Sequence, residues 1–232
     1  MTTRSMSIRK IDNFIIPEQM QVLANGTGMS IGTISNIITT LTVERHVLEM
    51  YRATYEEIVN ETISVFDAVD NDYDVYNEYI KTRAFNLFYD KNTKTLYSTA
   101  PSTITFKFLK HLSKNSKATV SKINGIEFSF TDVAELLEST KLIRFNSDDD
   151  HVNKKTFGGD NVVENNEAGD ALLNDTTSQL IGVLRVGTKD YTISLSKPGT
   201  LVAYTNIDKK TDDRPQPMLE FTIRALDELN IN

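Results

Sequence analysis

Between residues 84 and 146 the sequence alternates apolar runs with turn and helix-start signals closely enough to fix an order of elements. Residues 84–89 and 95–99 are rich in strand formers, and Asp90-Lys91-Asn92-Thr93-Lys94 between them is a hairpin signal. Pro101 and Ser102 open a helix to about residue 114, with Ile104, Phe108, Leu109 and Leu112 as its apolar stripe. A strand over 118–123, a helix begun at Thr131 with Glu135 nearby, and a strand over 142–145 complete a β-β-α-β-α-β order. That order predicts an α+β fold, with a mixed sheet built on residues 84–146 and helices on one of its faces. Further on, strands over 180–186, 191–196 and 200–207 are joined by Gly187-Thr188-Lys189-Asp190 and Lys197-Pro198-Gly199. They predict an antiparallel meander, followed by a terminal helix that starts at Pro217, where proline is favourable.

The first third reads as largely helical. After a short strand at Ile11, Phe14, Ile15 and Ile16, residues 18–25 suit a short helix. Ile31, Ile34, Ile37, Ile38 and Leu41 then recur at helical spacing behind Ser30 as N-cap. Over 43–69 the pattern is mixed: Val47, Tyr51, Tyr55 and Ile58 fit a helix, whereas 62–69 alternates like a strand. Residues 147–178, crowded with Asp, Asn, Gly and Glu, predict a mobile acidic loop. The expected organisation is a helical region at 1–80, an α/β core at 81–146, the loop at 147–178 and a meander with helix at 179–232. Residues 81–232 are compatible with one domain.

Composition removes several classes of function. The 232 residues include no cysteine, which excludes disulfides, thiol catalysis and cysteine-ligated metals and agrees with a reducing compartment. The first ten residues carry charges without an apolar run, and nothing approaches the ~20 apolar residues of a membrane helix. The expectation is a soluble cytoplasmic protein with no membrane contact. Plentiful Asn, Ile, Lys and Asp with no Trp match the usage of AT-rich bacterial, phage or mobile-element genes.

The net charge of −7 is unevenly distributed. Between Lys91 and Ile126 stand seven lysines (Lys91, Lys94, Lys107, Lys110, Lys114, Lys117 and Lys122) and no acid, while the rest of the chain sums to −14. Such a block is an electrostatic footprint for an anionic partner. On the helix over 103–114, Lys107, Lys110, His111 and Lys114 fall at i, i+3, i+4 and i+7, so they share one face suited to phosphate contact. The commoner role of a charged helix face is solvation.

A second pattern spans Met20 to Ile38. Ala24 is the small residue of a first helix, Gly28 makes a turn, and Met29, Ile34 and Ile37 seal a second helix. The run Gly28-Met29-Ser30-Ile31-Gly32-Thr33-Ile34-Ser35-Asn36 resembles the turn and recognition-helix start of bacterial and phage repressors. That resemblance implies a helix-turn-helix in which Ser30, Thr33, Asn36 and Thr39 approach bases. Thr27, where such motifs place an apolar plug, and the lack of Lys or Arg in the second helix depart from the pattern.

Catalytic patterns are incomplete. Asp70-Asn71-Asp72-Tyr73-Asp74 begins like a calcium loop but lacks its glycine and its closing glutamate. Asp148-Asp149-Asp150-His151 has no ligand spacing. Asp190, Asp208 and Lys210 only loosely match a metal-dependent nuclease. Gly26, Gly28 and Gly32 are not spaced as a phosphate loop, and His46, His111 and His151 are far apart. No catalytic residue, metal or cofactor is expected. The sequence therefore favours a non-enzymatic DNA-binding protein using Lys107, Lys110, His111, Lys114, Lys117 and Lys122. The first alternative is a protein-interaction subunit of a defence or toxin–antitoxin system, or a homo-oligomer, with the 147–178 loop and the meander edges as contacts; the second is a metal-dependent nuclease dependent on Asp208.

Overall fold

Strands dominate the computed structural model, which describes residues 5–207 and 216–231. Half of the residues (50%) are in strands and 19% in helices. In chain order the elements are β1 (Ser5–Ile15), β2 (Gln21–Ala24), β3 (Ser30–Val43), β4 (His46–Val59), β5 (Ile63–Asp67), β6 (Asp72–Tyr76), β7 (Tyr79–Asp90) and β8 (Thr95–Ser98). Then come α1 (Ser102–Leu112), β9 (Thr119–Gly125), α2 (Phe130–Leu136), β10 (Ser139–Asn146), β11 (Lys154–Gly158) and α3 (Asn166–Leu173). The last are β12 (Thr177–Val186), β13 (Lys189–Ser196), β14 (Thr200–Ala203) and α4 (Pro217–Glu228). One twelve-stranded sheet runs β11-β10-β12-β13-β14-β1-β8-β7-β4-β3-β2, with β9 also paired to β1. Every strand pairing in it is antiparallel. β5 and β6 pair only with each other.

This corrects the expected α+β core. The elements of 84–146 occur in the expected order, but they do not form one sheet of their own. β7 and β8 lie in one wing, β9 pairs with β1, and β10 lies in the other wing between β11 and β12. Nor do the helices share a face. Adjacent residues of a strand point to opposite faces, and Leu87 and Phe88 of β7 enter different cores, as do Leu96 and Tyr97 of β8. α1 supplies Ile104, Phe108, Leu109 and Leu112 to one core, and α2 and α4 supply Phe130, Val133, Leu219 and Ile223 to the other. Local periodicity finds such elements but carries nothing about partners far away in sequence, and here the partner is β1.

Two further expectations are overturned. Residues 5–80 contain no helix; the segment read as helix-turn-helix is the β2–β3 hairpin, in register Gln21↔Ile34 and Leu23↔Gly32. Its turn is held by the Asn25 side chain, which accepts from the backbone N–H groups of Thr27 and Met29. Gly32 is required by close approach, since a Cβ there would collide with the Thr54 carbonyl oxygen. The isoleucine spacing misleads because β3 crosses between the two cores. Ile34 enters the α1 core, while Val43, with Leu41 packed beside it, enters the other on the opposite face. Nine β-branched residues among its fourteen then favour the strand. The acidic 147–178 stretch is likewise folded: it holds β11 and α3, and Val162, Ala168, Ala171 and Leu172 are buried in the core.

The described residues contain no helix long and apolar enough to cross a membrane. A buried hydrogen-bonded pair closes the α4 side of the sheet. His46 Nδ1 on β4 donates to Asp90 Oδ2 on β7 at 2.6 Å, and His46 Nε2 lies 3.8 Å from Asp227 Oδ1 of α4. Burial pushes the Asp90 carboxyl up, but hydrogen bonds from His46, Asn92 and Thr93 outweigh it and hold the group below its ordinary range. A lowered carboxyl pKa adds stability at neutral pH that is lost as pH falls through the folded value. Asp90→Asn is expected to cost about 2 kcal/mol at pH 7, the scale of hydrogen bonds made to a buried charged group. Urea unfolding at pH 7 and near pH 3 checks this: the difference between wild type and variant should shrink on acidification.

Candidate interaction surfaces

The seven lysines are not all free to meet an anionic partner. Four of them meet carboxylates: Lys91 with Glu49 at 2.6 Å, Lys94 with Asp12 at 3.9 Å, Lys122 with Asp12 at 2.8 Å, and Lys107 with Glu57 at 2.8 Å. Hydrogen bonding from Lys107 holds Glu57 below the ordinary carboxylate range and raises Lys107 in return; Asp12 and Lys122 do the same. These pairs are exposed and add little stability, yet they occupy the ammonium groups. Lys107 and Lys122 therefore do not stand ready for phosphate as expected.

Lys110, Lys114 and Lys117 are exposed and make no ion pair among the described residues. Lys110 sits in the last turn of α1, where the helix dipole favours a cation. Lys114 follows in the turn where its N–H bonds the His111 carbonyl. His111 is held by its own helix and by β4, its Nδ1 lying 3.0 Å from the Lys107 carbonyl and 3.1 Å from the Tyr55 hydroxyl. Lys114, Lys117 and His111 line a groove of about 380 Å³ against β2, beside Met20, Val22 and Asn115. No carboxylate lines it. β2 ends the sheet, so its outer edge has no strand partner; Asn115 Nδ2 donates to the Val22 carbonyl there.

Ser30, Thr33 and Asn36 do not lie on a recognition helix. They lie along β3, and the Thr33 hydroxyl is engaged with that of Thr54 at 2.8 Å. The meander offers no open edges either, because β12, β13 and β14 each have a neighbour on both sides; the free edge of that wing is β11. Asp190 is paired with Arg185 at 2.8 Å across its own hairpin, and Asp208 and Lys210 lie outside the described residues. Asp70 to Asp74 form the turn and first residues of a hairpin rather than a calcium loop. No group of metal-binding side chains occurs among the described residues.

The most exposed structure is one that the sequence pattern only half revealed. β4 and β7 pair out to Val59↔Tyr79, and beyond them β5 and β6 form a separate two-stranded arm. Every residue from 68 to 78 is exposed. Val69 at the tip is 90% exposed, Tyr73 63% and Phe66 50%, and the Phe66 and Tyr73 rings touch at 5.3 Å between centroids. Residues 53–80 contain eight acids and no base. This acidic run is the counterpart of the lysine block, and counting charge over that window would have found it.

The His46–Asp90 pair resembles the base and orienting acid of a catalytic triad. The cavity beside it, lined by Thr93, Tyr97 and Asp227, measures about 10 Å³, room for one water and no substrate. Compared with known proteins, the chain matches no family model and no curated sequence.

A two-stranded ribbon without a packed face is marginal by itself. Amide hydrogen exchange should therefore show the β5–β6 backbone exchanging orders of magnitude faster than β4 and β7 within the sheet. Equal protection would mean that something covers the arm.

Proposed function

We propose that this chain is a non-catalytic protein-interaction module that docks through the β5–β6 arm. The supporting observation is the solvent-facing Phe66, Tyr73 and Val75 on one face of a ribbon that pairs with no other strand among the described residues, with Val69 at its tip and Tyr76 on the other face. Aromatic side chains carry large contact area at little entropic cost, and a contiguous exposed apolar patch marks an interaction site. Six acids from Glu61 to Glu78 give the arm a negative rim, which selects a basic partner surface and speeds encounter with it. The contact surface differs from the one expected from sequence, since the 147–178 stretch is folded and the meander edges are paired. The test is co-purification from native cells with nuclease treatment. Wild type should retain a protein partner that Phe66→Ser with Tyr73→Ser loses, both proteins having the same far-UV spectrum; equal retention overturns the reading.

A second reading is contact with a nucleic-acid backbone through Lys110, Lys114 and Lys117, favoured by their lack of ion-pair partners and by the carboxylate-free groove. The acidic arm rises close by, at Glu57, and opposes a polyanion there. Three phosphate contacts give weak, strongly salt-dependent binding. Replacing the three lysines with glutamine should reduce the salt slope of DNA binding by about one unit per lysine. Unchanged retention in a low-salt shift assay removes this reading.

A further inference from the structure

The arm and the lysine groove are complementary, and one chain carries both. We propose that the partner of the arm is a second copy of this chain, the acidic arm of each protomer lying in the groove between β2 and the loop after α1 of the other. This inference rests on the arm being a docking element, as proposed above, and adds the occupant.

Three observations support it. The first is charge: the 53–80 segment has eight acids and no base, whereas the groove presents Lys114 and Lys117, with Lys110 one turn away and no carboxylate in its lining. The second is apolar match. Met20 is 61% and Val22 51% exposed on the groove side of the terminal strand, facing solvent as Phe66 and Val69 do on the arm. The third is placement. Glu57 at the base of the arm already pairs with Lys107, one helical turn before Lys110 and His111, so arm and groove lie at the same end of the sheet. Two copies related by a two-fold axis can then exchange both arms at once, which closes the assembly as a dimer. The Lys107–Glu57 pair is the same carboxylate–ammonium contact made within one protomer.

Sedimentation velocity across a wide concentration range tests the proposal with two charge-swapped proteins. One carries Asp70→Lys, Asp72→Lys and Asp74→Lys, which changes the arm's tip from Asp67 to Asp74 from −4 to +2; the other carries Lys114→Glu and Lys117→Glu in the groove. All five positions are exposed and lie outside the cores, and far-UV spectra are the check that both variants fold. The wild type should dimerise reversibly and dissociate with added salt. Each variant alone should self-associate at least about tenfold more weakly, because like charges then face each other. An equimolar mixture of the two should restore the dimer, since each arm now meets a groove of opposite sign. A wild-type protein that stays monomeric, a dimer indifferent to both swaps, or a mixture that fails to recover overturns self-association. If the chain is monomeric yet Phe66 and Tyr73 are still needed to retain another protein, the second copy is wrong and the docking arm stands. If neither association depends on the arm, both fail.

Discussion

The guanidinium of Arg9 is the point at which the two wings of the sheet are joined. β1 pairs with β14 through Ser5 to Ser7, with β8 through Ser7 to Lys10, and with β9 from Arg9 to Ile15, so one strand carries both wings. Arg9 is 1% exposed and, among the described residues, meets no carboxylate. Its charge is met instead by oxygens: the carbonyls of Ile8 at 2.9 Å and Pro198 at 2.7 Å, and the carbonyl and hydroxyl of Ser102. Those oxygens belong to β1, the β13–β14 turn and the first residue of α1. Burial lowers the Arg9 pKa, the cost of placing a cation there, and the fan of acceptors offsets that cost only if all three segments stay where they are. The surrounding backbone is correspondingly tight. At Gly199, with φ +113°, a Cβ would stand 2.6 Å from the Ile8 carbonyl oxygen, and at Gly125 one would stand 2.5 Å from that of Pro198.

Legibility in the sequence followed how local the determining contacts are. α1, α4, the β7–β8 hairpin and the β12–β14 meander were readable because their patterns involve neighbours, such as the stripe of Ile104, Phe108, Leu109 and Leu112 or Pro217 at a helix start. β3 was not readable, because its apolar residues serve two cores on opposite faces and so follow neither a strict period of two nor a helical one. The 147–178 stretch failed for a different reason. Few bulky side chains are enough to fold it when they are placed like Val162 and Leu172, against a core built by residues elsewhere.

The candidate site shows the same division. The lysine block was plain in the sequence, and its sign is correct for an anionic partner. Its geometry was not, since Glu49, Glu57 and Asp12 come from β4 and β1 and lie against four of the seven ammonium groups, Asp12 being shared by two of them. Charge gathered along a chain is gathered in space only when the intervening strands bring no opposite charge with them. An antiparallel sheet, which sets distant segments side by side, readily brings such charges together.

The arm poses the opposite problem, that of apolar surface kept in water. A ribbon with two open edges and exposed Phe66, Val69 and Tyr73 is the kind of element that adds strands to other chains indiscriminately. The two strands that end the long path of the sheet are blunted: β11 carries Lys154 and Lys155, and β2 has Asn115 laid across its Val22 carbonyl. On the arm, the acids take that role. Like arms repel, so stacking of arm on arm is disfavoured, while a basic groove is accepted. With the docking proposed above, the charges that protect the ribbon from aggregation also select its partner, and a change that neutralised them would sacrifice solubility and selectivity together.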